Sequence, residues 1–243
     1  MEKEYLGQYN WQTAQKMIQS ARAVIVPLGS TEQHGHHLPI DTDIITATDI
    51  AIRLAKRTDC VVMPTVNYGQ VWSAKNFPAT FSIEERHYIE YVKDIVRSLE
   101  KNGAKNVILF SGHWGNVAPI KILARELLDE EGYENVYHIS YTNLAKNSEG
   151  IMESPLWNGS GFHASEIETS IMLAIAPETV DMSKAVCEYP EAPRGYSIRP
   201  VHWDKFAVSG IFGDATKATK EKGEKYLERW LNELVQLITE NIH

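Results

Sequence analysis

The chain is poor in cysteine, short of positive charge and free of long apolar runs, and each shortage removes a class of protein. Cys60 and Cys187 are the two cysteines among 243 residues. So sparse a pair builds neither a disulfide framework nor a cysteine metal knuckle. Cys60 opens the apolar run Cys60-Val61-Val62-Met63 and reads as a buried core residue. Lys and Arg total 24 against 32 Asp and Glu, a net charge of −8. With a pI near 5.6, this balance argues against nucleic acid as a partner. No run approaches the roughly 18 apolar residues of a membrane helix, so no membrane partner is expected. The opening Met1-Glu2-Lys3-Glu4-Tyr5 is charged and lacks an apolar signal core, and a cytoplasmic location is the expectation. No Gly-x-Gly-x-x-Gly follows any strand pattern, so a dinucleotide loop is not indicated.

What remains is an ordinary globular composition, 43% hydrophobic and 23% charged, in a chain long enough for one domain spanning 1–243. Apolar runs place strands at 23–28, 61–66, 106–111 and 135–141. Helical periodicity places helices at 42–57, 84–102, 116–131, 164–176 and 216–241. Alternation of this kind predicts an α/β fold, a mostly parallel sheet flanked by helices on both faces. Right-handed crossovers would collect the strand C-termini along one edge. Residues 142–162 and 186–213 are irregular and carry Trp157, Tyr189, Tyr196, Trp203 and Phe206, as lids or interfaces often do.

Metal-ligand side chains gather at strand-to-helix turns. Residues 30–43 read Ser-Thr-Glu-Gln-His-Gly-His-His-Leu-Pro-Ile-Asp-Thr-Asp, between the first strand and first helix of this pattern. Glu32 and His34, two apart, point to the same side of an extended segment. Imidazole with carboxylate suits zinc, manganese or iron. The second segment, Ser111-Gly112-His113-Trp114-Gly115-Asn116, occupies the same kind of turn after the third strand, although Asn116 reads equally well as a helix cap. The third, His163-Ala164-Ser165-Glu166-Ile167-Glu168-Thr169-Ser170, opens a helix. Acids in a first helical turn also serve simply to complement the dipole.

Together these segments resemble the creatininase (creatinine amidohydrolase) family. Phe77-Pro78-Ala79-Thr80 and Gly213-Asp214-Ala215-Thr216 match weaker landmarks, and the likeness covers roughly residues 20–230. The resemblance implies two divalent ions per chain, zinc foremost, with manganese or iron possible. Glu32, Asp43 and His113 would hold one ion, and His34 and Asp43 the other, with Asp43 bridging. It links His163 to catalysis. Glu166 or Glu168 would complete the site, with Glu166 taken as the ligand and Glu168 as a catalytic acid. It further implies a homo-oligomer, often a hexamer, and hydrolysis of a small-molecule cyclic or amide substrate. One departure stands out. Creatinine-hydrolysing members carry a Glu two residues after the histidine of the second motif, and Gly115 stands there in this chain. On that ground an inositol-derived ring ketone ranks slightly above creatinine. A non-catalytic metal-binding partner protein is the competing expectation, separable by whether the centre keeps an open position and a proton donor.

Overall fold

The structure is a computed structural model that describes residues 2–243. Four parallel strands form the main sheet: β1 (Val24–Leu28), β2 (Val61–Val62), β3 (Val107–Ser111) and β4 (Val136–Ile139), in the order β2-β1-β3-β4. Pairing of β1 with β3 runs from Val24 opposite Val107 to Leu28 opposite Ser111. Successive side chains of a strand point to opposite faces, and here both faces are apolar. Val24, Val26, Leu28, Val107 and Leu109 enter one core, while Ile25, Ile108 and Phe110 enter the other. Helices α1 (Trp11–Ser20), α3 (Glu85–Lys101) and α4 (Val117–Glu131) cover the first face. Helices α2 (Thr42–Thr58), α6 (Glu166–Ile175) and α7 (Lys220–Asn241) cover the second, with the short α5 (Leu144–Ser148) beside α7. This is the expected α/β architecture with helices on both faces.

Several elements depart from the sequence expectation, among them the short α5 inside the segment 142–162. The second strand stops at Val62. Val61 N bonds Ala23 O and Met63 N bonds Ile25 O, but the next ladder bond, to Pro27 O, comes from Val66. Three residues span a step that fits two, so the strand bulges there. Helix α1 was not foreseen; Asn10 caps it by accepting from Thr13 N at 3.1 Å. A small antiparallel pair, β5 (Cys187–Glu188) with β6 (Gly213–Asp214), brackets the irregular segment between them. Cys60 is buried and free, as expected. No helix among the described residues is long and apolar enough to cross a membrane.

Candidate metal centre

The strand order creates a cleft. After β1 the chain turns to α2 on one face, and after β3 it turns to α4 on the other. Between two such diverging loops, the C-terminal edge of an open sheet offers room for a ligand. Glu32 and His34 lie on the loop after β1, Asp43 in the first turn of α2, and His113 directly after β3. His163 and Glu168 arrive from the start of α6. All six side chains are buried.

Their donor atoms converge. His113 Nδ1 lies 3.0 Å from Glu32 Oε1 and 2.9 Å from Asp43 Oδ2. His34 Nε2 lies 3.3 Å from Asp43 Oδ1, and His163 Nδ1 lies 3.9 Å from Glu32 Oε1. Three groups each hold donor atoms within 4.8 Å of one another: Glu32–Asp43–His113, His34–Asp43–Glu168 and Glu32–His34–His163. Asp43 belongs to two of them, one through each side of its carboxylate. The Ser30 hydroxyl steadies that carboxylate, donating to Oδ2 at 2.5 Å.

Each imidazole is set by a backbone carbonyl on its far side. His34 Nδ1 bonds Glu32 O at 3.2 Å, His113 Nε2 bonds Gln70 O at 2.8 Å, and His163 Nε2 bonds Gln33 O at 2.8 Å. A carbonyl only accepts, so those nitrogens carry the protons. The opposite nitrogens face the carboxylates and are the ones a metal ion would take. This is how proteins orient metal-binding histidines. His34 Nε2 is fully buried and makes no hydrogen bond, an orphan that a metal ion would satisfy. The residues therefore fit a metal site with nitrogen and oxygen ligands.

The first turn of α6 separates its two acids. Glu168 joins the His34–Asp43 group, and its Oε2 accepts from Ala164 N. Ala164 holds a left-handed backbone, φ 48°, a strained state for a residue with a side chain. Glu166 points elsewhere. Its carboxylate accepts from Glu153 N at 3.0 Å and Ser154 N at 2.7 Å and pairs with Lys222 on α7. The expectation that Glu166 supplies a ligand is thus corrected, because its oxygens are already committed to an ammonium and two amides. Of the further histidines, His36 is exposed, and His37 is buried with Nε2 2.8 Å from Thr169 Oγ1.

Gly115 explains the departure in the second motif. A Cβ there would sit 2.3 Å from Gln70 O and 2.3 Å from His113 Nε2. The bond that orients His113 occupies the space a side chain would need. Gly115→Ala should therefore swing His113 off its carbonyl and weaken metal affinity about 10- to 100-fold, the usual effect of losing such an orienting contact. Isothermal titration with zinc tests this; unchanged affinity would show that Gln70 O does not set the ring.

Charge shapes the metal-free cluster. Burial opposes charging His34, but the Asp43 carboxylate outweighs it and pushes the ring up to about 10. His113 is likewise raised, against burial, by Glu32 and Asp43. Burial and the neighbouring His34 lower His163 to about 4. Burial also pushes Glu168 up to about 7, opposed by His34. A divalent ion bound there would displace the protons of His34 and His113, since ligand imidazoles bind in the neutral form.

Above the donors lies a cavity of about 290 Å³ with an aromatic wall that includes Trp72, Trp114, Trp157, Phe162, Trp203 and Phe212. Residues 69–74 supply part of it, and the two irregular segments supply most of the rest. Their aromatics were visible in the sequence as lid or interface material. The carbonyls of Gln33 and Gln70 were not, because backbone groups leave no trace in side-chain pattern.

A family model described as creatinine amidohydrolase (creatininase) matches residues 7–238. The chain belongs to the creatininase family. The creatinine amidohydrolase of Pseudomonas putida is 30% identical, covering 97% of this chain and 96% of its own length. The 3-dehydro-scyllo-inosose hydrolase of Thermotoga maritima is 28% identical, covering 88% and 76%. Two solved creatininases, a manganese form and a zinc–zinc form of a mutant, superpose with TM-score 0.82 over 98% of each chain, at 27% and 28% identity. Creatininase relatives are hydrolases of amide or ring substrates, and this chain is an enzyme of that kind.

Proposed function

We propose that this creatininase-family chain is a binuclear metal-dependent hydrolase acting on the carbonyl of a small cyclic or amide substrate. The observation that carries the reading is the sharing of Asp43 between the Glu32–Asp43–His113 and His34–Asp43–Glu168 donor groups. Glu32, Asp43 and His113 would hold one ion, and His34, Asp43 and Glu168 the other. Glu168 thereby takes the place first assigned to Glu166. Ions so held lower the pKa of water towards neutrality and polarise a carbonyl oxygen.

The chain's own residues do the rest. His163 Nε2 lies 2.8 Å from Gln33 O, the nearer of its two partners there, with Gln33 Nε2 at 3.1 Å, and its Nδ1 faces the cluster. With its pKa lowered to about 4, the ring is neutral near pH 7 and can take a proton at Nδ1. It then returns that proton to the leaving group. The hydrogen-bonded pairing of His163 N and O with Phe212 holds the ring's backbone in place. The aromatic wall thins the water around the reacting carbonyl.

The lining also bears on substrate. Carboxylates, imidazoles and aromatic rings line the cavity, and no Lys or Arg does among the described residues. A phosphorylated substrate would lack a cationic anchor. A small uncharged ring or amide fits better, and Gly115 ranks a ring ketone of the inosose type slightly above creatinine. Zinc is the first choice of metal, with manganese or iron also suited to this N/O set. A cytoplasmic homo-oligomer, a hexamer by family likeness, belongs to the same proposal. The test is hydrolysis of creatinine, a formamide and an inosose before and after chelation. Turnover that chelation abolishes and zinc or manganese restores is expected. Turnover indifferent to the chelator would remove the metal from the mechanism.

A further inference from the structure

Two loops supply most of the wall above the donors, and each is fastened by one carboxylate outside the metal cluster. Residues 149–162 carry Trp157 and Phe162, and residues 189–212 carry Tyr196, Trp203 and Phe212. At the root of the first, Glu166 grips two consecutive amides, Glu153 N at 3.0 Å and Ser154 N at 2.7 Å. Its charge is balanced by Lys222, which also reaches Glu153 Oε1 at 2.7 Å and Lys217 O at 2.8 Å. Near the end of the second loop, Glu188 grips another consecutive pair, Val208 N at 2.6 Å and Ser209 N at 2.7 Å, together with the Ser209 hydroxyl.

The loops then lock to each other. Trp157 Nε1 donates to Pro190 O at 2.7 Å, and the Tyr189 hydroxyl donates to Pro155 O at 3.1 Å. Trp157 meets Phe212 edge-on at 4.8 Å between ring centroids. Hydrogen bonds to a charged acceptor are stronger than neutral ones, and these two acids each hold a pair of consecutive loop amides, beside the single charged ties Asn76 to Asp204 and Arg229 to Glu149 O. Glu166 is 1% exposed, and a buried carboxylate is retained only when fully partnered.

We infer that Glu166 and Glu188 are positioning residues that set the shape of the substrate wall, and hence which substrates are held, without binding metal. The inference rests on the reading of this cleft as a hydrolase site. Its mechanical half stands independently of turnover.

The test is hydrogen exchange on the zinc-loaded protein and its Glu166→Gln and Glu188→Gln variants, with metal content and steady-state kinetics on creatinine as the first probe. A lost charged hydrogen bond should speed local exchange about tenfold or more. In Glu166→Gln the acceleration should fall on residues 153–162, and in Glu188→Gln on 205–212. Metal content should stay at the wild-type level. Where the wild type turns over a probe, KM should rise about tenfold with kcat within about threefold. Acceleration spread evenly through β1, β3 and α7 would reduce both acids to general stability and overturn the inference. So would unchanged local exchange, or the loss of an ion from Glu166→Gln, which would return that residue to the ligand set. If Glu166→Gln fails to fold, Glu188→Gln carries the test alone. If the wild type hydrolyses nothing, the hydrolase reading fails, while the exchange data still decide the anchoring.

Discussion

Asp43→Asn should remove turnover by about 10³-fold or more and deplete both ions together. Asp43 is the acid shared by the Glu32–Asp43–His113 and His34–Asp43–Glu168 groups, with Oδ2 2.9 Å from His113 Nδ1 and Oδ1 3.3 Å from His34 Nε2. An amide keeps the shape and discards the charge. One carboxylate oxygen becomes an NH₂ that cannot ligate a cation. Metal-supplied charge stabilisation is worth several kcal/mol, and each ~1.4 kcal/mol is tenfold in rate. The contrast with Glu32→Gln and Glu168→Gln makes the prediction specific: under the proposed arrangement each of those residues would serve one of two ions, so each variant should lose about one ion rather than two. Elemental analysis beside initial rates reads both effects. An Asp43→Asn protein that keeps one ion firmly would show that the carboxylate does not bridge.

His163→Ala should lower kcat by about 10²–10⁴-fold with the metal content intact, the range for loss of a positioned proton-transfer group. His163 stands against Glu32 at 3.9 Å, longer than the contacts of His34 and His113 with Asp43. Its ring leans on His34 and Trp203, with centroids 4.4 and 5.1 Å away, so it occupies the border between donors and substrate cavity. It also falls in a possible donor group with Glu32 and His34. Metal content therefore separates the two roles: an ion lost with the ring would make His163 a ligand, and unchanged hydrolysis would leave it no role in proton transfer.

Much of this could be read before any coordinates. Strands β1 and β3 and helices α2, α3 and α4 begin and end within a residue or so of their expected limits, because buried parallel strands and amphipathic helices carry strong periodic signals. The meeting of Glu32, His34 and His113 followed from two strand-to-helix turns on one sheet edge, while the place of Asp43 came from the family resemblance. The choice between Glu166 and Glu168 did not follow. Two residues apart on a helix they diverge by about 200°, so only one can face the cluster. Which one depends on how α6 is rotated as it starts. That rotation is set by the left-handed turn at Ala164 and by Lys222, which lies far along the chain on α7. The second strand is shortened for a similarly local reason, the extra residue between Met63 and Val66 in its ladder with β1.

The most direct measurement is the number of divalent ions per chain in protein purified after loading with zinc or manganese and removal of excess metal. The shared carboxylate and the two flanking donor groups predict about two, both lost to a strong chelator. A firm single ion, or none, would contradict the binuclear centre on which the proposed chemistry depends.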